Sequence, residues 1–312
     1  MDSSNAQITL ALDDISLSIS PAIGCSISDL KIKHNQCWLP ILRSMPSQGQ
    51  SASDAGSFVM LPWTNRIKDA KFSFEGKEHK LESNADDQTA IHGVGRNLPW
   101  AITDRSPITA RFVLDSRLHS QINFPFKFGA IQRFEIGPKS VEIELSITNL
   151  DEHPIPVGCG HHPYIHRHLA SPEDELSIKL DVKGRYPTQG CIPTGASIND
   201  DTCKALATGE PIGNPGLDDV FSGFGGDAIF DWDQTQLRMT MSCSSNMDHL
   251  VIYTPQDADG TPSEFVCVEP VTMVNDGFNA FADGNEAAGT VVLAPNETLR
   301  TKMTLSFEDL AH

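Results

Sequence analysis

The sequence predicts an all-β, antiparallel fold, and two observations carry that prediction. Apolar and polar residues alternate with a period of two through most of the chain, and the alternating runs are separated by short turn signals rich in Gly, Pro, Asn or Asp. No long segment shows the 3.6 periodicity of an amphipathic helix, so helix is confined to short pieces.

Taken in order, Ile8-Leu10-Leu12 and Ile15-Leu17-Ile19 open the series as half-buried strands. The stretch from Arg43 to Gly56 lacks alternation and reads as a long connection. FSFEGKEHKL reads as a hairpin around Glu75-Gly76, and EIGPKSVEIELSI turns at Gly137-Pro138 into the strand Val141-Ile143-Leu145-Ile147. Leu176-Ile178-Leu180-Val182 follows as a strand, and Asp201 to Ala207 suits a helical turn. The Gly- and Asp-rich stretch from Gly209 to Asp227 reads as a second long connection before Leu237-Met239-Met241. VVLAPNETLRTKMTLSF turns near Pro295-Asn296 and runs into Met303-Leu305-Phe307. No internal repeat or linker divides the alternation, so residues 1–312 are expected to form one domain, with its site on the long loops at one end of the sheets.

Composition narrows the function. The 312 residues carry 41 Asp plus Glu against 23 Lys plus Arg, a formal net charge of −18. Nucleic acid and anionic membrane are excluded as partners, because both demand a basic patch that neutralises phosphates. No apolar run has the length of a membrane span, and the first basic residue is Lys31, so a cytoplasmic protein is expected. The cysteines Cys25, Cys37, Cys159, Cys191, Cys203, Cys243 and Cys267 are odd in number, scattered and free of C-x-x-C pairs, which reads as reduced thiols.

Several motifs fail for want of context. Gly223, Gly225 and Ala228 fit G-x-G-x-x-A, but a strand pattern follows where a dinucleotide site needs a helix. DADG at Asp257 to Gly260 lacks the remaining calcium ligands, and neither G-x-S-x-G nor a P-loop is present. HHPYIHRH holds His161, His162, His166 and His168, yet Pro163 forbids a helix face and an extended strand divides these rings between two faces. No metal and no organic cofactor is expected.

Four segments combine unusual polar residues with backbone-shaping Gly or Pro: LPWTNRI, IHGVGRNLPW, GCGHHPYI and VCVEPVTMVNDGFN; GLDDVF is a fifth. Glu269 follows the apolar run Phe265 to Val268 and precedes Pro270, which puts a carboxylate at the end of a strand; burial there would raise its pKa towards that of a useful general base.

In content and order these segments resemble the aldose 1-epimerase, or galactose mutarotase, family, from about Ala55 to Leu305. The resemblance implies a large antiparallel β-sandwich, or supersandwich. It further implies Glu269 as catalytic base, His162 as catalytic acid, and Arg66, His92, Asp218 and Asn65 as substrate-holding residues, with no cofactor. The implied reaction interconverts the anomers of a free hexose such as glucose or galactose by acid–base ring opening and reclosure; the partner is then a small sugar, and the protein a monomer or homodimer. Asp219 competes with Asp218 for its role, His161 reads as structural, and Trp63 and Trp100 suit a sugar platform or, more commonly, a core. Ile165 and Val94 depart from the family's usual aromatic and Gly, which points to a subgroup whose sugar differs from galactose.

Three alternatives stay open. An epimerase for a phosphorylated or other anionic hexose would need several basic residues at the site; Arg96 is a candidate, while the charge of −18 argues against it. A non-catalytic carbohydrate-binding module would have no use for both Glu269 and His162. A glycosidase would pair Glu269 with Asp218 and leave His162 idle.

Overall fold

The computed structural model describes residues 6–310. Its strands form two large sheets. The larger has ten strands, in the order Ile8–Leu12, Ile15–Ser20, Ser26–His34, Ser57–Met60, Gly160–His166, Phe265–Val271, His249–Tyr253, Asp218–Ser222 and Gly184–Arg185, with Cys37–Pro40 paired to Ser26–His34. The smaller has eight: Ala101–Arg105, Thr109–Asp115, Phe128–Gly137, Ser140–Asn149, Thr298–Asp309, Leu237–Cys243, Asp227–Trp232 and Leu176–Leu180. Neighbours within both sheets run antiparallel, as the alternation predicts.

The two sheets use the alternation differently. Phe128–Gly137 buries every second residue, which leaves the other face of the eight-stranded sheet towards solvent. By contrast, Ser57–Met60 is buried at every position and Gly160–His166 and Phe265–Val271 at all but one. The middle of the larger sheet is therefore covered on both faces. One face meets the apolar core, which draws residues from Ile8 to Phe307. The other carries a separate cluster of Phe58, Met60, Tyr164, Cys267 and Val271, around which the loops gather.

The hairpins at Glu75-Gly76 and Gly137-Pro138 form as expected. Near Pro295-Asn296 the chain does turn, but Val291–Leu293 pairs with Ile155–Val157 and only Thr298–Asp309 joins the eight-stranded sheet. The stretch from Gly209 to Asp227 is not all connection, since it contains the strand Asp218–Ser222. Helix appears at Asp201–Thr208, capped by Asp200 Oδ1 on the Cys203 N–H, and again at Gly277–Ala282, beyond the residues whose pattern suggested it. No helix among the described residues is long and apolar enough to cross a membrane.

Glu269 is not at the end of its strand. It is the fifth of seven residues, and the strand continues through Pro270 to Val271. The ladder with Gly160–His166 is open between the pairs Gly160–Val271 and Tyr164–Cys267. Pro163 and Pro270, which have no N–H to donate, fall inside that opening, so neither interrupts a bond the sheet needs there.

Candidate active site

The same register sets His162 opposite Glu269 across the opening. Their side chains emerge on the face away from the main core, and His162 Nε2 lies 3.1 Å from Glu269 Oε1. Both are almost wholly buried. His162 is packed between Phe58 and Tyr164, whose rings stack on it at 4.5 and 4.6 Å.

Burial acts on the two groups in opposite senses. It pushes Glu269 well above the ordinary carboxyl range, helped by the negative charge of Asp218 and opposed by Arg66 and Arg96. It pushes His162 down to about 3, reinforced by Arg96 and Arg43. Each group is driven towards its uncharged form. A neutral carboxyl beside a neutral imidazole holds the same number of protons as a carboxylate beside an imidazolium, so one proton can move between them. His162 Nδ1 and Glu269 Oε2 have no hydrogen-bond partner among the described residues, although buried polar atoms are nearly always satisfied.

LPWTNRI and IHGVGRNLPW meet directly, through the pairs Arg66–Ile91 and Ile67–Ala90. This brings His92 beside the acid–base pair: its ring is edge-on to His162 at 5.1 Å, and its Nδ1 is 3.1 Å from Met60 Sδ. Burial also holds His92 well below the ordinary imidazole range. Asn65 and His92 adopt left-handed backbone, with φ of 46° and 65°, and the His92 N–H donates to the Asn65 carbonyl at 2.8 Å. Gly93 must be glycine. Its φ is 67°, and a Cβ there would lie 2.0 Å from the Leu61 carbonyl oxygen. Gly93→Ala is expected to cost at least about 2 kcal/mol of folding stability, visible as a lowered denaturant midpoint; a midpoint within error of the parent would refute the clash.

Arg66 donates to Asp87 Oδ2 at 2.8 Å and to Asn65 Oδ1 at 3.1 Å, and its Nη1 is 3.9 Å from Asp218 Oδ2. Asp218 also accepts from the Cys191 thiol at 3.2 Å, whereas Asp219 pairs with Arg185. The structure thus separates the neighbouring aspartates, with Asp218 tied to Arg66. All six residues named from the sequence lie on five segments that meet at one place. Trp63 and Trp100 do not join them; both are core residues, with indole N–H groups bonded to the carbonyls of Ala90 and Gly95.

The tandem histidines separate as an extended strand requires. His161 is buried away from His162, and burial pushes it down to about 4. Further on, His168 Nδ1 lies 2.8 Å from the Asp174 carbonyl oxygen. The native state binds protons at His161 and His162 less tightly than the unfolded chain, whose histidines titrate near 6.5. Their stabilising contribution is complete above that range and is lost as pH falls towards 4 and 3. The thermal midpoint should therefore drop steeply below about pH 6.5, and His161→Phe should flatten the decline; an unaltered slope would count against it.

Some of the architecture escaped the motif reading. The VNDGFN segment clasps LPWTNRI: the Asp276 N–H donates to the Arg66 carbonyl at 2.6 Å, Asp276 Oδ1 accepts from the Lys68 N–H, and Asn279 bonds the backbone of Lys71 and Ser73. Thr64 adds a bond to the Met273 carbonyl. Arg43, from the first long connection, reaches the ring of Tyr164. A near-neutral pattern of loop residues gave no sign of that contact. Among the described residues, one His/Cys/acid group, His162, Cys267 and Glu269, brings ligand-type atoms within 4.8 Å of one another. Burial pushes the Cys267 thiol up, towards the protonated form that does not ligate metal.

The larger sheet of this β-sandwich buries a carboxyl–imidazole pair among hydrogen-bonding side chains, and a family match supports an enzyme of the isomerase type. More specifically, the chain belongs to the aldose 1-epimerase family, whose model matches residues 7–306. It is 23% identical over 281 residues to the uncharacterized protein YphB of Escherichia coli K12, covering 86% of this chain and 89% of that one. A galactose mutarotase-like protein from Clostridium acetobutylicum shares its fold with a TM-score of 0.85 at 22% identity, over 97% of this chain and 95% of that one. The galactose 1-epimerase from Lactobacillus acidophilus NCFM gives 0.72 at 14% identity, over 97% and 94%.

Proposed function

We propose that the protein interconverts the α and β anomers of a free hexose, with Glu269 and His162 as its proton carriers. The observation that supports this reading most directly is the 3.1 Å contact between two buried groups whose pKa values are pushed in opposite directions. In the reactive form Glu269 is the carboxylate and His162 the imidazolium. Glu269 takes the proton of the anomeric hydroxyl while His162 gives its proton to the ring oxygen. The bond between C1 and that oxygen breaks and an open aldehyde results, with Glu269 protonated and His162 neutral. After rotation about C1–C2 the same transfers run backwards on the other face of the carbonyl, and both groups return to their starting state.

Arg66, His92, Asp218 and Asn65 hold the sugar in this reading. Arg66 and His92 donate to its oxygens and Asp218 accepts from hydroxyls, which keeps C1 within reach of both carriers. A glycosidase would pair Glu269 with a second carboxyl about 5–10 Å away and leave His162, the group in contact with Glu269, without a role. A pure binding module has no need for a buried proton-sharing pair, whose desolvation lowers stability. The direct test is polarimetry of freshly dissolved α-D-glucose and α-D-galactose. Rotation should decay faster with the protein than without it; sugar binding with no acceleration would support the module, and cleavage of an aryl glycoside the glycosidase.

A further inference from the structure

Two arginines beside the site lack what the third has. Arg66 is matched by Asp87 and Asp218, whereas neither Arg43 nor Arg96 has a carboxylate within ion-pair distance among the described residues. The nearby acids are engaged elsewhere: Asp54 accepts from the N–H groups of Gln50 and Ser51, and Asp29 from Ser44 and Lys31. Arg43 lies over Tyr164, with its Cζ 3.8 Å from the ring centroid, and Arg96 lies over Phe58 at 4.0 Å. These are the two rings that stack on His162.

Both guanidinium groups also converge on one turn. Arg43 donates to the Ala55 carbonyl at 2.9 Å and to that of Ser53, and Arg96 donates to Ser53 Oγ. All three bonds run through Nη2, and Arg43 Nε is buried without a hydrogen-bond partner. Ring stacking recovers part of the cost of taking a guanidinium out of water but leaves its charge and its remaining donors unmatched. The acid that acts on Arg96 is the buried Glu269, beyond ion-pair distance, and among the described residues no carboxylate lies within that distance of Arg43.

We propose that Arg43 and Arg96 form an anion-recognition subsite, and that the preferred substrate is a hexose with a carboxylate or phosphate on its exocyclic carbon. This rests on the epimerase reading above, in which His162 protonates the ring oxygen. The exocyclic carbon hangs from the ring carbon bonded to that same oxygen, so its substituent falls on the His162 side of the sugar. Arg43 and Arg96 lie over the two rings that stack on His162, which places them on that side. Guanidinium forks match carboxylate and phosphate oxygens and leave the rest of the site free for hydroxyls. The overall charge of −18 is no obstacle, because distant surface charges are screened by salt while the two arginines act at contact range.

The test compares mutarotation of D-glucose and D-galactose with that of D-glucuronate and glucose 6-phosphate, using the whole chain. At least one anionic sugar should exceed the neutral sugars in kcat/KM by about tenfold or more, the worth of a charge-assisted hydrogen bond, and this advantage should shrink as salt is raised. Glucuronate against glucose 6-phosphate decides which anion fits. In R43Q and R96Q the anionic-to-neutral ratio should fall towards one, while the lysine variants, which keep the charge and lose the fork, should retain part of it. The wild-type ratio and its salt dependence need no variant to fold. Acceleration of neutral sugars with equal or poorer turnover of both anionic ones would overturn the subsite and leave the epimerase reading standing; no acceleration of any sugar would overturn both.

Discussion

Replacing Glu269 with Gln is expected to lower kcat for anomer interconversion by about 10²–10⁴-fold, the usual worth of a positioned general base. The side chain keeps its shape and can still meet His162, so KM should change far less than kcat. Stability supplies the control. Because burial raises the pKa of Glu269, the native state holds this proton more tightly than the unfolded chain does. The contribution is complete below the ordinary glutamate range and is lost as pH rises through the raised value. Gln carries no such penalty, so the variant should melt at the same temperature as the parent or higher at alkaline pH. Retention of a tenth or more of the activity by a folded E269Q protein would remove Glu269 from the mechanism.

His162→Asn is expected to have an effect of similar size, again on kcat, since loss of the acid leaves the ring oxygen without a proton donor. Asn retains a polar group against Glu269 and avoids part of the void that Ala would leave between Phe58 and Tyr164. The two substitutions together should be scarcely worse than either alone, because groups that share one proton act as a unit. Multiplying effects in the double variant would instead mean that Glu269 and His162 serve separate steps. Single-turnover polarimetry on all three variants, with circular dichroism to verify folding, decides between these outcomes.

The class of fold was legible because alternation is a local property. Ser140–Asn149 and Thr298–Asp309 each declare themselves from their own residues, as do the hairpins at Glu75-Gly76 and Gly137-Pro138. Pairing partners are another matter. Nothing in Ser57–Met60 indicates that it lies against Gly160–His166, since a fully buried strand carries no alternation by which to orient it. The same loss of pattern disguised Asp218–Ser222 as loop and made Pro270 look like a terminator. The candidate site residues could be picked out because Arg66, His92, His162, Asp218 and Glu269 stand in segments with distinctive chemistry and order. The clasp by Asp276 and Asn279 was not, for its bonds go to backbone groups that look alike at every position. Arg43 was also missed, because the loop that carries it has no periodicity to relate it to Tyr164.

The opening in the ladder at Pro163 and Pro270 bears on how the protein holds its amide hydrogens. The middle strands of a sheet normally exchange with solvent deuterium slowest, as one protected block. Here two positions in the most deeply covered part of the larger sheet have no amide hydrogen at all, and the bonds between their two strands are interrupted while each strand keeps the ladder with its other neighbour. Protection should therefore divide into two blocks, one around Gly160 and Val271 and the other around Tyr164 and Cys267. The boundary between them is where His162 faces Glu269, so the proposed pair of proton carriers sits on a seam in the most slowly exchanging core.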